Sequence, residues 1–122
     1  MPDYQINLDD KFGYSTLIDI PAEVAACSES WFNQTLTTVN DSVVRLGILQ
    51  GEFHWHHHER EDEFFLVLDG RLLIDIEDEE TVVLDPQQGY TVPRGVVHRT
   101  RAPDRAVILM VEPAGVVPTG DE

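Results

Sequence analysis

The sequence is poor in basic residues and contains a single cysteine. Its 122 residues include 8 Lys and Arg against 23 Asp and Glu, which gives a formal net charge of −15 at pH 7. A surface of this charge repels phosphate backbones and anionic lipids, so we expect no nucleic-acid partner and no membrane-surface role. Because Cys27 is the only cysteine, one chain cannot form an internal disulfide, and a reducing, cytoplasmic location is expected.

Long apolar runs are also missing. No stretch approaches the roughly 18 apolar residues that a membrane helix needs, and the N-terminus has neither the cationic nor the apolar region of a secretory signal. Lys11 is the only lysine. Such acid-rich, lysine-poor surfaces suit high salt and also occur in proteins of GC-rich genomes, and the composition does not separate these sources. With 42% hydrophobic residues the chain can fill the core of one domain.

Short runs rich in β-branched and bulky apolar residues dominate the pattern. Turn residues separate these runs, and Asp69-Gly70 between two of them is typical of a two-residue hairpin, in which both turn positions have positive φ. The spacing predicts an all-β sandwich or small barrel. The predicted strands are residues 42–50, 63–68, 71–76, 81–84, 90–92 and 106–111.

Two segments fall outside this strand pattern. Proline at a first helical position followed by alanines predicts one or two helical turns within residues 21–32. Residues 113–122 carry turn residues without a period, so we expect this tail to lie along the surface.

All five histidines fall in two places. His54, His56, His57 and His58 lie within five residues, and His98 follows forty residues later. On a strand over residues 53–58, side chains two apart share a face, so His54, His56 and His58 point one way while Trp55 and His57 point the other. Three imidazoles and one carboxylate converging in a barrel would form a divalent metal site.

The positions of Glu63 and His98 favour that site. Glu63 starts the strand that returns beside the histidines, and a turn over residues 93–97 would deliver His98 on a third strand. The alternative is a solvated, His-rich surface loop that chelates metals incidentally. If the metal site forms, we expect His54 to line the pocket or to contact a metal ligand without binding the metal. His57 is expected to be exposed.

These residues together resemble the two motifs of the cupin family. The first motif matches Gly51, His56-His57-His58, Glu63 and Gly70, and the second matches Pro93-Arg94-Gly95 followed two residues later by His98. The longer stretches GEFHWHHHEREDEFFLVLDGRL, VPRGVVHR and VEPAGVVPTGD resemble small single-domain cupins of the cupin-2, mannose-6-phosphate-isomerase-like type.

The resemblance implies a fold and a ligand set. The fold would be a double-stranded β-helix, or jelly-roll, in the form of an antiparallel barrel. Residues 1–122 would form one cupin domain, with the barrel at about 35–113 and residues 1–34 packing on the barrel or on a partner, usually as a homodimer. The ligands would be His56, His58, Glu63 and His98. The sequence departs from the family pattern where Gly51 stands one residue nearer to His56, Gln87 replaces a glycine, and Ala102 replaces a frequent asparagine.

One divalent transition metal per chain is therefore expected, and Fe, Mn, Ni and Zn all suit the ligand set. Fe(II) would leave positions for O2 and a chelating substrate, which is typical of a dioxygenase. Zn, Mn or Ni would act as a Lewis acid in isomerase, lyase or cyclase chemistry. His54 and Glu63 are the candidates for proton transfer.

Other side chains are candidates for the substrate pocket. Arg45 could anchor an anionic substrate through its guanidinium, although its place in an apolar strand favours solvent or a partner subunit. Phe53, Phe65 and Tyr90 could line the pocket, with ordinary core packing as the alternative. Three functions stay open at this point: a metal-dependent enzyme on a small oxygenated metabolite, a non-catalytic binder of metal or small molecules, and a structural cupin with an idle site.

Overall fold

The computed structural model describes residues 4–121 and confirms the all-β prediction. Within these residues the chain forms eight strands and one short helix. No helix in this part of the chain is long and apolar enough to cross a membrane. The elements are β1 (Gln5–Asn7), α1 (Ile20–Ala26), β2 (Trp31–Val39), β3 (Ser42–Glu52), β4 (Glu63–Asp69), β5 (Leu72–Ile76), β6 (Val82–Leu84), β7 (Gly89–Val92) and β8 (His98–Pro113).

The strands form one folded-over sheet that centres on β8. The order of pairing is β1-β2-β3-β8-β4-β7, and β5 pairs with both β6 and β8. Every pairing is antiparallel except the parallel contact of β1 with β2. This arrangement is the double-stranded β-helix that the sequence resemblance implies.

Strand β8 bends in its middle and so serves both halves of the barrel. His98 to Arg101 pair with β5, whereas the segment from Ala106 onward pairs with β3 and β4. Between the pairs Gly51–Ala102 and Leu49–Ala106 the register shifts, so residues 103–105 oppose a single residue of β3. Pro103 is tolerated there because a bulge needs no ladder hydrogen bond from it.

The hairpin predicted at Asp69-Gly70 is wrong. Strands β4 and β5 on either side of it do not pair with each other, because each pairs with a different part of β8. Only Gly70 has positive φ, at 77°. A Cβ there would lie 2.5 Å from the carbonyl oxygen of Arg105, so Gly70 is needed for a close approach to the bulge of β8.

The one or two helical turns predicted within residues 21–32 are confirmed as helix α1, which has seven residues and starts one residue earlier, at Ile20. It begins after Asp19, whose carboxylate accepts a hydrogen bond from the Ala22 amide, and it ends at Ala26. Trp31, at the end of the predicted range, starts β2, where it pairs with Leu49 and is buried in the core. Burial of this indole in the barrel accounts for the change from helix to strand.

Two apolar clusters lie on opposite faces of β3. The inner cluster fills the barrel between the sheet halves and includes Trp31, Leu49, Phe65 and Ile108. The outer cluster is built on Leu36, Leu46, Ile48 and Val107, and the N-terminal segment covers it with Phe12, Ile18, Ile20, Val24 and Cys27. Strand β3 is therefore apolar on both faces, which explains its nearly continuous hydrophobic sequence.

The departure from the family pattern at Gln87 is accommodated by the backbone. Gln87 has a φ of 71°, in the left-handed region that a glycine occupies more easily. Its amide donates a hydrogen bond of 2.8 Å to the Val67 carbonyl oxygen, and the Val67 amide donates one of 3.0 Å to the Gln88 carbonyl oxygen. The turn before β7 thus keeps its course without the glycine.

Arg45 lies inside the barrel, so the expectation that it faces solvent or a partner is wrong. It is 2% exposed, and its Nε lies 2.9 Å from Oε1 of Glu112, which is also 2% exposed. The parity argument failed because both faces of β3 are buried, so alternation did not identify the outer one. Arg45 supplies a buried positive charge at this end of the barrel.

We expect Arg45→Met to lower the free energy of unfolding by about 3–5 kcal/mol, because it leaves buried carboxyl groups without their counter-charge. The double variant Arg45→Met/Glu112→Leu should recover most of this loss, since it removes the polar groups together. Urea denaturation of the parent, both single variants and the double variant measures the coupling. A single variant within about 0.5 kcal/mol of the parent would contradict this assignment.

A second ion-pair cluster clamps the outer side of β8 beside His98. Asp75 on β5 accepts hydrogen bonds from Arg99 Nε at 2.8 Å, Arg101 Nε at 2.7 Å and the Thr81 hydroxyl at 2.7 Å. Arg101 is the largest cause that holds the pKa of Asp75 well below its usual range, and Thr81 and Arg99 add to it. The ionised carboxylate therefore ties together the strands that carry and flank His98.

A depressed pKa in the folded state means that Asp75 stabilises the fold above its unfolded pKa of about 4 and loses this effect as pH falls. We expect Asp75→Asn to be less stable than the parent at pH 7, and the difference to shrink below about pH 4. Urea denaturation across this range tests it, with exposed Glu80→Gln as the charge-matched control. A pH-independent difference would show that packing, and not ionisation, is what the variant removes.

Candidate metal centre

Four side chains converge at one end of the barrel interior. His56, His58, Glu63 and His98 each place one donor atom within 4.8 Å of the others. His58 is 2% exposed, Glu63 6% and His98 1%, whereas His56 is half-buried. The structure thus brings together the four residues that the cupin motifs select.

Backbone hydrogen bonds fix where these side chains emerge. His56 and His98 exchange two amide-to-carbonyl bonds of 2.9 Å, which set their rings side by side, with centroids 4.4 Å apart and planes tilted by 51°. The turn before β8 is hydrogen-bonded to the histidine segment, which we define as residues 54–58, because the Gly95 amide donates to the His58 carbonyl at 2.8 Å. Glu63 enters from the first position of β4, opposite Val92.

Two of the imidazoles have their tautomers set by carbonyl oxygens. His98 Nδ1 lies 2.9 Å from the Val96 carbonyl, and His56 Nδ1 lies 3.0 Å from the His54 carbonyl. Because a carbonyl oxygen only accepts, each Nδ1 must carry a proton, which leaves Nε2 as the nitrogen available to a metal. His98 Nε2 lies 3.3 Å from Oε1 of Glu63, so this nitrogen points at the carboxylate.

His58 has no hydrogen-bond partner for either ring nitrogen among the described residues. Its Nε2 lies 3.6 Å from Glu63 Oε1, which is too long for a hydrogen bond. Buried polar atoms are normally satisfied, so an orphaned imidazole beside a carboxylate indicates a missing cationic partner.

The electrostatics of the cluster favour neutral imidazole and ionised carboxylate. Burial lowers the pKa of His56 to about 4, so this ring is neutral at pH 7. Burial raises the pKa of Glu63, but contacts with His58, His98 and Glu112 outweigh it and hold the pKa well below its usual range. Imidazole nitrogens and a carboxylate charge therefore point at one space, which is the donor set that a divalent transition metal requires.

Glu112 extends this cluster towards Arg45. Burial, followed by the negative charge of Glu63 and a hydrogen bond to it, raises the pKa of Glu112 to about 9. The two carboxyl groups therefore share a proton, and Arg45 balances the single negative charge that remains. Glu112 was not selected from the sequence, where it is one of 23 acidic residues and no motif marks it.

A small cavity opens beside the four donors. Its volume is about 30 Å³, which is room for roughly two water molecules. Phe53 and Phe65 lie in its wall, as the sequence suggested, and the Oδ1 atom of Asn33 in this wall has no hydrogen-bond partner. The lining residues are Trp31, Asn33, Leu49, Phe53, His56, Glu63, Phe65, Thr100, Ile108, Met110 and Pro118.

Two predicted pocket residues do not line this cavity. Arg45 is engaged with Glu112, and Tyr90 lines a separate surface depression with Ile76, Val82 and Val96. Tyr90 also packs against the inner cluster from the edge strand β7, which is the core-packing alternative. Neither residue is placed to contact a ligand beside His56.

His54 does not join the other histidines in the cavity. Residues 53–55 are not a regular strand, so the strict alternation that placed His54 beside His56 does not apply. The side chain is exposed, and its Nε2 lies 2.7 Å from the carbonyl oxygen of Thr119. Its role in proton transfer stays a prediction.

The C-terminal tail is largely exposed, in agreement with the prediction that it lies along the surface. Two of its residues reach inward: Val116 is buried and Pro118 forms part of the cavity wall, because residues 117–121 turn back across the histidine segment. No local pattern marks this return, since it depends on contacts between residues about sixty positions apart.

Comparison with known proteins agrees with the geometry. Residues 43–112 match the cupin domain family Cupin_2. The uncharacterized protein YdbB of Bacillus subtilis (strain 168) is 49% identical over 84 residues, which are 69% of this chain and 74% of that protein.

Solved structures give the same result. A cupin-2 domain containing protein from Shewanella frigidimarina NCIMB 400 is 30% identical with a TM-score of 0.74, covering 80% of this chain and 94% of that one. Hydroquinone 1,2-dioxygenase from Sphingomonas sp. TTNP3 shares the fold with a TM-score of 0.71 at 18% identity, over 83% of this chain and 32% of that one. With its two motifs, its barrel and its cluster of three histidines and a glutamate, the chain belongs to the cupin family.

Proposed function

We propose that this cupin is a metal-dependent enzyme that acts on a small oxygenated metabolite. In this proposal His56, His58, Glu63 and His98 hold one divalent transition metal per chain, of the group Fe, Mn, Ni and Zn. The observation that carries the proposal is the convergence of three imidazole rings on an ionised, buried carboxylate, with both ring nitrogens of His58 unpartnered. A bound metal would supply either a site for O2 and substrate or Lewis-acid polarisation of a substrate oxygen.

The cavity wall limits the class of substrate. Trp31, Phe53, Phe65 and Met110 exclude water from one side of the donors and favour a flat or apolar group there. The Oδ1 atom of Asn33 has no hydrogen-bond partner and can accept a hydrogen bond from one polar group of the ligand. No Lys or Arg is among the lining residues within the described part of the chain, so a phosphorylated substrate would find no counter-charge in the wall.

Proton transfer has few candidates in this cavity. Among the described lining residues, the titratable side chains are His56 and Glu63, and both belong to the proposed ligand set. Glu63 is thus the nearest group that could take a proton from a bound substrate. His54 is held by Thr119 outside the lining and would act only on a proton that leaves the cavity.

This scarcity of acid–base groups also favours a second function. A site without an independent base serves a non-catalytic binder of metal or small molecules as well as it serves an enzyme. Among the enzymatic options it favours oxygenase chemistry or Lewis-acid chemistry in which the substrate is already acidic. The homodimer remains an expectation from the family.

We expect protein purified without a tag or added metal to contain about one equivalent of a transition metal. The variants His56→Ala and His98→Ala should each lose it, since each removes a donor that faces Glu63. His57→Ala is the matched control, because this neighbouring imidazole lies 3.7 Å from Glu59 and outside the cluster. Elemental analysis measures the metal content, and a parent that binds none after reconstitution with each ion would refute the metal centre.

The catalytic and binding functions are separated by assays on the loaded protein. We expect turnover with a small substrate that offers two oxygen donors, such as a diol, an enolisable 2-hydroxyketone or a 2-oxo acid. Oxygen consumption measures it for Fe(II), and proton exchange with solvent measures it for the other metals. Asn33→Ala should raise KM about tenfold by removing the polar wall atom that has no partner within the protein. Ligand-dependent thermal stabilisation without turnover across these classes would instead support the binder.

A further inference from the structure

The C-terminal strap, which we define as residues 117–121, contacts almost every residue of the histidine segment. The Thr119 carbonyl oxygen lies 2.7 Å from His54 Nε2, and the Asp121 amide donates to the His57 carbonyl at 2.9 Å. Asp121 Oδ2 in turn accepts a 2.8 Å hydrogen bond from the Glu59 amide. These bonds hold the strap along the stretch of chain that supplies two of the four donors.

Gly120 makes the tightest of these contacts. Its φ is +94°, and a Cβ at this position would lie 2.5 Å from Cβ of His56. A side chain here would have to displace either the strap or the proposed ligand His56, in addition to adopting a strained backbone. Gly115, at the start of the same tail, has open space around its Cβ position and no positive φ.

Asp121 stands beside the second ligand of the segment. Its carboxylate, that of Glu61 and a ring nitrogen of His58 lie within 4.8 Å of one another. A metal-bound imidazole normally donates its other N–H to a carboxylate or a carbonyl, which fixes the ring. Both nitrogens of His58 lack partners, so Asp121 and Glu61 are the nearby carboxylates that could accept a ring N–H.

Pro118 connects the strap with the cavity. It is the one lining residue that comes from this segment, so a ligand that fills the cavity would contact the strap there.

We propose that the strap is a positioning element of the metal centre. Gly120 lets it seat against His56, Asp121 orients His58 and anchors the strap to Glu59, and Pro118 closes one side of the cavity. This inference rests on the proposed metal site, because it assigns the strap to the same two histidines. Gly120 and Asp121 are positioning residues here, since neither belongs to the four donors.

The first test compares Gly120→Ala with the control Gly115→Ala. In metal-free protein we expect amide hydrogen exchange to rise at Glu59 and Asp121 in Gly120→Ala alone, because both amides bond across the strap contact. The His56 amide, which bonds to His98, serves as an internal reference for protection that should not change. After loading with Zn²⁺, release to a chelator should be about tenfold faster in Gly120→Ala than in the parent, as for loss of other supports of a metal ligand.

A second pair of variants keeps the backbone unchanged. Asp121→Ala removes the acceptor for the Glu59 amide and for His58, so it should speed Zn²⁺ release as Gly120→Ala does. Asp121→Asn retains a side-chain oxygen and should restore much of the slow release. Thermal unfolding of the metal-free variants separates this effect from a general loss of stability, which would lower their Tm in parallel.

The outcomes separate the strap from the metal site. Equal exchange and equal Zn²⁺ release in Gly120→Ala, Gly115→Ala and the parent would overturn the positioning role while the metal centre stands. A parent that binds no metal would refute the metal centre, and the exchange at Glu59 would still decide whether the strap holds the histidine segment. Faster exchange and release confined to Gly120→Ala and Asp121→Ala supports the proposal.

Discussion

The pairing of one bent strand with three others is the constraint on which this structure depends. Strand β8 spans 16 residues and changes partner at a bulge over residues 103–105. Its first half aligns His98 with the histidine segment, and its second half brings Glu112 beneath Glu63. Main-chain hydrogen bonds fix the register of β8 against its partners. The positions of His98 and Glu112 relative to each other are therefore set by this strand.

That register places acidic and basic side chains inside an apolar barrel, where each buried charge needs an opposite charge nearby. Arg45 balances the one negative charge that Glu63 and Glu112 share, so the carboxyl pair needs no further cation for neutrality. The His56 imidazole is neutral and, with its Nδ1 proton directed at the His54 carbonyl oxygen, presents a lone pair that still requires an acceptor of electrons. A divalent ion fits this demand because it is held by lone pairs as well as by charge.

Sequence reasoning reached the features that short-range pattern encodes. Apolar runs identified most strands, and the spacing of His56, His58, Glu63 and His98 selected the convergent cluster, because strand entry points and side-chain alternation follow from local sequence. It failed where a contact between distant segments decides the outcome. Gly70 is required by its close approach to the bulge of β8 and not by a hairpin. Arg45 is held inside the barrel by its ion pair with Glu112.

The shortage of basic residues in the composition has a counterpart in the site. Several of the eight are already committed: Arg99 and Arg101 to Asp75, Arg71 to Asp85, Lys11 to Glu23 and Arg45 to Glu112. None of them lines the cavity within residues 4–121, so negative charge on a ligand would have to be met by the metal itself. A phosphate, whose charge lies far from the reacting carbon, would remain uncompensated there. The barrel therefore favours substrates whose charge develops on the oxygen that binds the metal, as in an enolate or a phenolate, and the apolar wall of Phe53, Phe65 and Trp31 suits the flat shape of such groups.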